Sequence, residues 1–339
     1  MKLKSIRLKN FKIFQSLEIN QLSNMCVFVG ANGTGKTTIF QALSFLKDAF
    51  NDNIQVALNK LGGRRGFQEV RSRNATDPIE FELNFYQSNH QLPLGKYFLK
   101  VNEIDGSSMA EEESITIGKA DDNNHWNLPL MKFHKGEGYA ISRQAINEIK
   151  VNDKIYQLKS ANILALKGLA QFEEFPICKA IGDWLENLQI ADFYISPSRP
   201  EQEFGYAENL SPSGENLALV TEFLYNRHPD IFQKIIAKLK QRVPGISNVS
   251  PKITEEGRVL LRFKDGDFQD PFLARYVSDG TLKMFSYLVL LYAPKPHSVL
   301  CMEEPENQLY PQLLGELVEE FRDYARQVRF LCPLIHLIF

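Results

Sequence analysis

Cysteine is scarce: four residues in 339, Cys26, Cys178, Cys301 and Cys332, far apart and mostly in apolar runs. That spacing excludes a disulfide framework and a Cys-x-x-Cys metal site, and it reads as buried free thiols in a reducing cytosol. An excess of charge of one sign is missing too. The net charge is -2 and the isoelectric point is near 6.3, so there is no global cationic field and any nucleic-acid contact needs a local patch. No stretch approaches the roughly 20 apolar residues that span a bilayer. The start, "MKLKSIRLKNFKIF", alternates charge with apolarity and lacks the continuous apolar core of a signal peptide. The chain has no internal repeat and no heptad pattern sustained over three or four turns, which excludes a long coiled coil. These absences predict a cytoplasmic protein without a membrane segment.

What is present is an ordinary globular balance, 44% hydrophobic and 24% charged, enough for one large domain or a domain plus a lobe. Leu3, Ile6 and Leu8 between basic residues predict an edge strand near the surface. "MCVFVG" reads as a second strand running into a glycine-rich turn. In the "KTTIFQALSFLKDAF" that follows, Ile39, Leu43, Leu46 and Phe50 fall at helical spacing. Residues 79 to 87 and 96 to 101 alternate like antiparallel strands. The acidic stretch 103 to 127 reads as a solvated loop or hairpin. Helices are expected over 160 to 190, over 216 to 242 with a break near Pro229, after Ser278-Asp279, and over 311 to 327, where Leu313, Leu314, Leu317, Val318 and Phe321 share a face. "GRVLLRFKDG" and "HSVLCMEEPEN" read as strands.

"GANGTGKT" at 30 to 37 fits G-x-x-x-x-G-K-[ST] between an apolar strand and a helix, the context that motif requires. Gly30, Gly33 and Gly35 let backbone N–H groups converge on a polyphosphate at the positive end of a helix. Lys36 is expected to reach the β- and γ-phosphates, and the Thr37 hydroxyl to ligate Mg²⁺. The strand 298 to 302 delivers Glu303 and Glu304 at its C-terminal end, where ligands sit in parallel α/β sheets. Glu303 is expected to hold magnesium, and Glu304 to orient and deprotonate the attacking water. "VSDGTLK" at 277 to 283 makes a second helix N-terminus suited to an anion, one more than a single bound nucleotide needs.

"LKNFK", "GANGTGKTT", "SDGTLK" and "VLCMEEPENQLYP", in this order, resemble the RecF/SMC/Rad50-related branch of ABC-type ATPases, and within it the bacterial AAA-family ATPases of the AAA15/AAA21 kind with a short insert. The resemblance implies an α/β fold, a P-loop NTPase with an ABC-ATPase-like head, a mixed sheet and a helical/β insert lobe. It places core segments at 1–87 and 245–339 and the insert at about 88–244. It implies a homodimer around two ATP molecules. One ATP would lie on Gly30, Ala31, Asn32, Gly33, Thr34, Gly35, Lys36, Thr37 and Thr38, beside Asn10 and Lys12. Ser278 and Gly280 would contact the γ-phosphate held by the second copy. Pro305 to Asn307 match a loop along the dimer interface. Arg199, in "YISPSRP", also matches a family element, without an assigned role. The magnesium-sensing glutamine is either Gln68 or Gln202. Glu303 stands where most relatives have Asp, and Tyr310 replaces a common His; neither change removes a catalytic group.

The resemblance implies ATP hydrolysis in DNA repair or anti-phage defence, with a nuclease as a separate protein. The alternative is an ATP-dependent switch or scaffold with little turnover. Arg64, Arg65, Arg71 and Arg73 form the one basic cluster expected to touch DNA phosphates. The tail, Arg329 to Phe339, lacks the Ser-Thr-His-Ser-Pro string that ends the family's next strand. Read from the third base of the Arg329 codon, permitted codons can encode Phe-Phe-Val-Ser-Thr-His-Ser-Pro-Asp-Phe. Two readings stay open: a frameshift near Val328 that truncates the core and impairs turnover, and a divergent buried strand. The coding DNA separates them.

Overall fold

The computed structural model describes residues 1–86, 93–118, 126–142, 155–266, 268–327 and 331–335. The chain forms two compact units, Met1–Ser23 with Asn32–Leu188, and Asn24–Ala31 with Gln189–Phe339.

The first unit begins with β1 (Lys2–Phe11) and β2 (Phe14–Ile19); β3 (Phe28–Val29) belongs to the second unit. After the phosphate-loop motif come α1 (Lys36–Asn51), α2 (Ile54–Gly62) and α3 (Gly66–Val70). There follow β4 (Ile79–Tyr86), β5 (Pro93–Ile104), β6 (Ser107–Gly118), β7 (Trp126–His134), β8 (Glu137–Ala140), β9 (Ile155–Gln157), α4 (Ala165–Leu169) and α5 (Pro176–Glu186). The strands make one sheet in the order β2-β1-β4-β5-β6-β7-β8-β9, and every pairing in it is antiparallel.

One expectation fails here, and one open alternative is decided. β1 is an inner strand, flanked by β2 and β4, because its alternation buries Leu3, Ile6 and Leu8 while Arg7 pairs across to Glu82 at 2.9 Å. Of the two readings of the acidic stretch, solvated loop or hairpin, the structure has the hairpin: up to residue 118 it turns at Asp105-Gly106 and returns as β6, paired on both sides. Its carboxylates either pair with lysines, as Glu111 does with Lys100 at 3.3 Å, or go inside, as Glu113 does. Residues 119–125 lie outside the described residues. α1 packs on the sheet through Phe45, stacked on Phe81 at 4.9 Å, with Phe11 edge-on to Phe81 at 5.4 Å.

The second unit contains β10 (Leu188–Ala191, which starts at the boundary), α6 (Ile195–Ser198), β11 (Gln202–Glu203), α7 (Leu217–Arg227), α8 (Pro229–Arg242), β12 (Ile246–Ile253), β13 (Arg258–Asp265) and β14 (Phe272–Leu273). It ends with α9 (Asp279–Leu291), β15 (Val299–Glu303), α10 (Pro311–Gln327) and β16 (Leu331–Ile335). Pro229 at the first position of α8 makes the predicted break, since its ring cannot continue α7. α9 is buried from Thr281 to Leu291 and mostly apolar around its whole circumference, the pattern of a helix enclosed by its neighbours. α10 carries its apolar stripe inward. On its other flank Arg242 of α8 meets Glu316, Glu319 and Glu320, with Lys238 and Tyr292 also on Glu320 at 2.9 Å each.

β16 lies between β15 and β3, parallel to both, with Cys301 opposite Cys332 and Leu334 opposite Phe28. The backbone of 331–335 therefore occupies an inner slot of the sheet that carries the phosphate-loop strand. Residues 328–330 and 336–339 lie outside the described residues.

Candidate functional site

In the first unit the phosphate-loop motif runs from exposed Asn32, Gly33 and Thr34 into α1. Gly33 and Gly35 have φ of +79° and +92°, the left-handed region that side chains avoid. At Gly35 the requirement is double, because a Cβ there would lie 2.5 Å from both Ile13 Cδ1 and Phe14 Cζ. The turn after β1 is thus the floor on which the loop rests. Gly35 caps α1, and Ile39 N–H donates to the Gly35 carbonyl at 3.3 Å. Lys36 and Thr38 are buried, while Thr37 is half-buried. The glycines thus open onto the N-terminus of a 16-residue helix, a geometry that suits a polyphosphate.

Asn10 and Lys12 sit on the same floor, and both are left-handed, with φ of 54° and 49°. The fold holds them there: the Asn10 amide donates to Pro78 O at 3.0 Å, Ser72 N–H to Asn10 O at 2.9 Å, and Lys12 N–H to Val70 O at 2.7 Å. Burial lowers the Lys12 pKa. Lys12 and Ile13 line a cavity of about 840 Å³ with Gln68, Arg64, Arg65, Arg71, Arg73 and Glu69. The basic cluster read from the sequence is therefore the wall of a concavity adjoining the floor of the phosphate loop. Arg71 is committed, donating to Thr76 O at 3.2 Å and lying over the Phe67 ring.

In the second unit the N-terminus of α9 and the loop after β15 pack together. Ser278 caps α9, its hydroxyl accepting from Thr281 N–H at 3.3 Å and donating to Thr281 Oγ1 at 2.9 Å. A Cβ on Gly280 would lie 3.4 Å from Leu313 Cδ1 and 3.6 Å from Gln308 O, ordinary van der Waals contact, so the loop lies against this turn without requiring glycine there. β15 ends at Glu303, and Glu304 follows with φ of 42°; Gln308 has φ of 62°. Two non-glycine residues in this region mark stored strain, which the surroundings must hold. Lys283 does so, donating from a buried ammonium to Glu304 O at 3.3 Å and Asn307 O at 2.6 Å. Desolvation pushes its pKa down to about 8. The Asn307 amide donates to the Glu304 carboxylate. Asp192 belongs to the same cluster: burial raises its pKa, and the nearby Glu304 charge raises it further.

Sequence reasoning missed Glu113, Asp192 and the role of Lys283. Lys283 had a signal, a lone cation within "TLKMFSYLVLLY". Gln202 donates its amide to Glu215 O in the second unit, whereas Gln68 lines the basic cavity of the first. Among the described residues no group of three or more His, Cys, Asp or Glu could hold a metal ion by itself, and no helix is long and apolar enough to cross a membrane. Among the described residues Cys178 and Cys301 are buried thiols and Cys26 is half-buried, none of them in a disulfide.

A glycine-opened loop before a long helix, and acids at the end of a parallel strand, define a P-loop NTPase of mixed α/β build. The family model described as "AAA ATPase domain" matches residues 1–174, more than half of the chain, and the chain belongs to that family. A second model, a AAA domain also labelled for the AbiEii toxin of a type IV TA system, matches residues 198–339. Among curated relatives, the DNA replication and repair protein RecF of Lactococcus lactis subsp. cremoris (strain MG1363) is 36% identical over 90 residues. That match spans 25% of this chain and 24% of the relative's length. RecF of Pediococcus pentosaceus is 22% identical over 356 residues, covering 98% of this chain and 89% of the relative. Among solved structures, an SMC head bound to the C-terminal winged-helix domain of ScpA aligns with a TM-score of 0.54 at 13% identity, over 99% of this chain and 90% of that one. A Pyrococcus furiosus SMC head with an extended coiled coil aligns at 0.51 and 12% identity, over 98% and 89%. The fold is that of the SMC head, and the chain, a member of the AAA ATPase domain family, has RecF proteins among its sequence relatives.

Proposed function

We propose that this chain binds Mg²⁺-ATP on Gly30 to Thr38, hydrolyses it, and self-associates around the nucleotide. The observation that carries the reading is Gly35: its left-handed backbone and its close seat on Ile13 and Phe14 hold the N–H groups of α1 open to a polyphosphate. The donor set fits the ion, since a Thr37 hydroxyl and a Glu303 carboxylate are the hard oxygen ligands Mg²⁺ takes. Bound magnesium would neutralise charge developing on the phosphates. Lys36 supplies a fixed cation to the β- and γ-phosphates, and Asn10 and Lys12 flank them. Glu304 orients and deprotonates the attacking water. Ser278 and Gly280 present the N-terminus of α9 to the nucleotide of the second copy. In domain terms the core segments are 1–87 and 245–339, with the insert at about 88–244.

Relatives named for DNA replication and repair support a role in DNA repair, with anti-phage defence as the other role we propose and the cytoplasm as its place. The basic cavity supports contact with DNA phosphates. A separately encoded nuclease would be the effector.

A specific observation favours a second reading, that of a slow switch or scaffold. The Glu304 carboxylate is held by Asn307, and the Ser278 hydroxyl is spent on capping α9. The test is steady-state ATP turnover with and without DNA, in wild type and in Glu304→Gln. A rate lowered about 10²-fold or more by the substitution, with ATP binding retained, supports the enzyme; turnover that is undetectable, or unchanged in Glu304→Gln, supports the switch.

A further inference from the structure

Arg199 closes the short helix α6 and reaches the turn in front of α9. Its Nη1 donates to three backbone carbonyls, Ala274 at 2.9 Å, Arg275 at 3.1 Å and Val277 at 2.8 Å, and its Nη2 to the Asp279 carboxylate. Those carbonyls belong to the 3-10 turn Ala274–Tyr276 and the residue before Ser278. Three oxygens pointing at one place repel one another unless a cation sits among them. A planar guanidinium answers that geometry better than the point charge of an ammonium.

Asp279 is the first residue of α9, where a carboxylate is itself drawn to the helix N-terminus. An unpaired carboxylate there would compete with an incoming phosphate for the same N–H groups and repel it. Arg199 removes both effects by drawing Asp279 onto its guanidinium. The neighbouring acid does not compete for Arg199, because Glu201 pairs with Arg275 at 3.1 Å. The Asp279 side chain is 50% exposed, so the pair adds little to folding stability, and its placement has to be explained by the turn it controls.

We propose that Arg199 is the positioning residue of the Ser278–Gly280 turn, holding its backbone and neutralising Asp279 so that the N-terminus of α9 accepts a phosphate presented by a second copy of this chain. The inference rests on the nucleotide-sandwich reading above and deepens it. Arg199 touches no nucleotide in this scheme; it acts through the turn.

The test uses the full chain in four forms: wild type, Arg199→Ala, Arg199→Lys and Arg199→Ala with Asp279→Asn. Each is followed by light scattering for Mg²⁺-ATP-dependent association, by a fluorescent ATP analogue for affinity, and by thermal unfolding without nucleotide. Arg199→Ala should weaken association at least about tenfold, as an uncompensated like charge at a contact does, with analogue affinity unchanged. Adding Asp279→Asn should restore most of the loss, and Arg199→Lys should fall between. The melting temperature without nucleotide should fall in Arg199→Ala, which leaves three carbonyls without their donor, should fall no further when Asp279→Asn is added, and should barely move in Arg199→Lys, so that recovered association reads the charge and not the fold. Association equal to wild type in Arg199→Ala overturns the proposal and leaves the sandwich reading standing. So does a loss that Asp279→Asn fails to restore, or one that follows a drop in melting temperature in both Arg199→Ala and Arg199→Lys. Wild type that binds the analogue but never associates overturns the sandwich reading, and the inference with it.

Discussion

Lys283 Nζ lies 2.6 Å from the carbonyl oxygen of Asn307, and Lys283 is the one cation in a helix whose buried side chains are mostly apolar. The ammonium joins the helix of the Ser278–Gly280 turn to the strained loop that carries Glu304. Replacement by Met keeps the hydrophobic stem and leaves two carbonyls without their donor. The expected cost is about 1–3 kcal/mol in chemical denaturation, with a larger relative loss in ATP turnover than in ATP affinity. Equal losses in both kinetic quantities would show that the loop does not depend on Lys283.

Gly33 and Gly35 separate two causes of glycine dependence. Both have positive φ, but a Cβ on Gly33 meets nothing within 4 Å, whereas one on Gly35 collides with Ile13 and Phe14. Gly33→Ala should cost about 1 kcal/mol from backbone strain. Gly35→Ala should cost more, about 2–3 kcal/mol, and should also abolish binding of an ATP analogue. Melting curves and analogue titration on the two variants check this ordering.

Glu113 predicts a pH dependence. Its carboxylate is buried, accepts from Tyr97 Oη at 3.0 Å, and accepts from the N–H groups of Ala165 at 2.6 Å and Leu166 at 3.1 Å. Burial outweighs these hydrogen bonds and raises its pKa to about 7. A folded-state pKa above the unfolded one means the native state holds this proton more tightly. The contribution is complete below about pH 4.5 and declines as pH rises to about 7, by at most about 3 kcal/mol. Chemical denaturation at pH 5 and pH 8 should show that decline in wild type, set against a shallower one in Glu113→Gln.

Arg64 and Arg73 carry the DNA expectation. Single substitutions to Gln should weaken binding of duplex DNA uniformly across sequences, and each should lower the slope of log affinity against log salt by about 1. Salt titrations by fluorescence anisotropy measure it, and an unchanged slope removes the cavity from the DNA-contact surface.

Much of the site was legible because local motifs carry local physics. "GANGTGKT" between an apolar strand and a helix requires one backbone path whatever surrounds it, and the structure has that path. Helix limits at Pro229 and over Pro311–Gln327 followed in the same way from proline geometry and an apolar stripe. The acidic strand β6 was legible only as one of two alternatives, loop or hairpin. Its polar composition mimics a loop, and only its pairing with β5 and β7 gives the carboxylates lysine partners or a buried seat.

The amino-acid sequence by itself determined the class of protein, the phosphate loop, the two acids at the end of β15 and the capped start of α9. All of these lie within runs of about ten residues, where spacing alone sets which groups converge. Tertiary structure alone decided what holds those pieces in place. Arg199 meets Val277 across 78 positions, Glu113 meets Ala165 across 52, and residues 331–335 enter the sheet between β15 and β3. Such meetings depend on how distant elements pack to bury apolar surface and satisfy polar groups, and no local pattern encodes them.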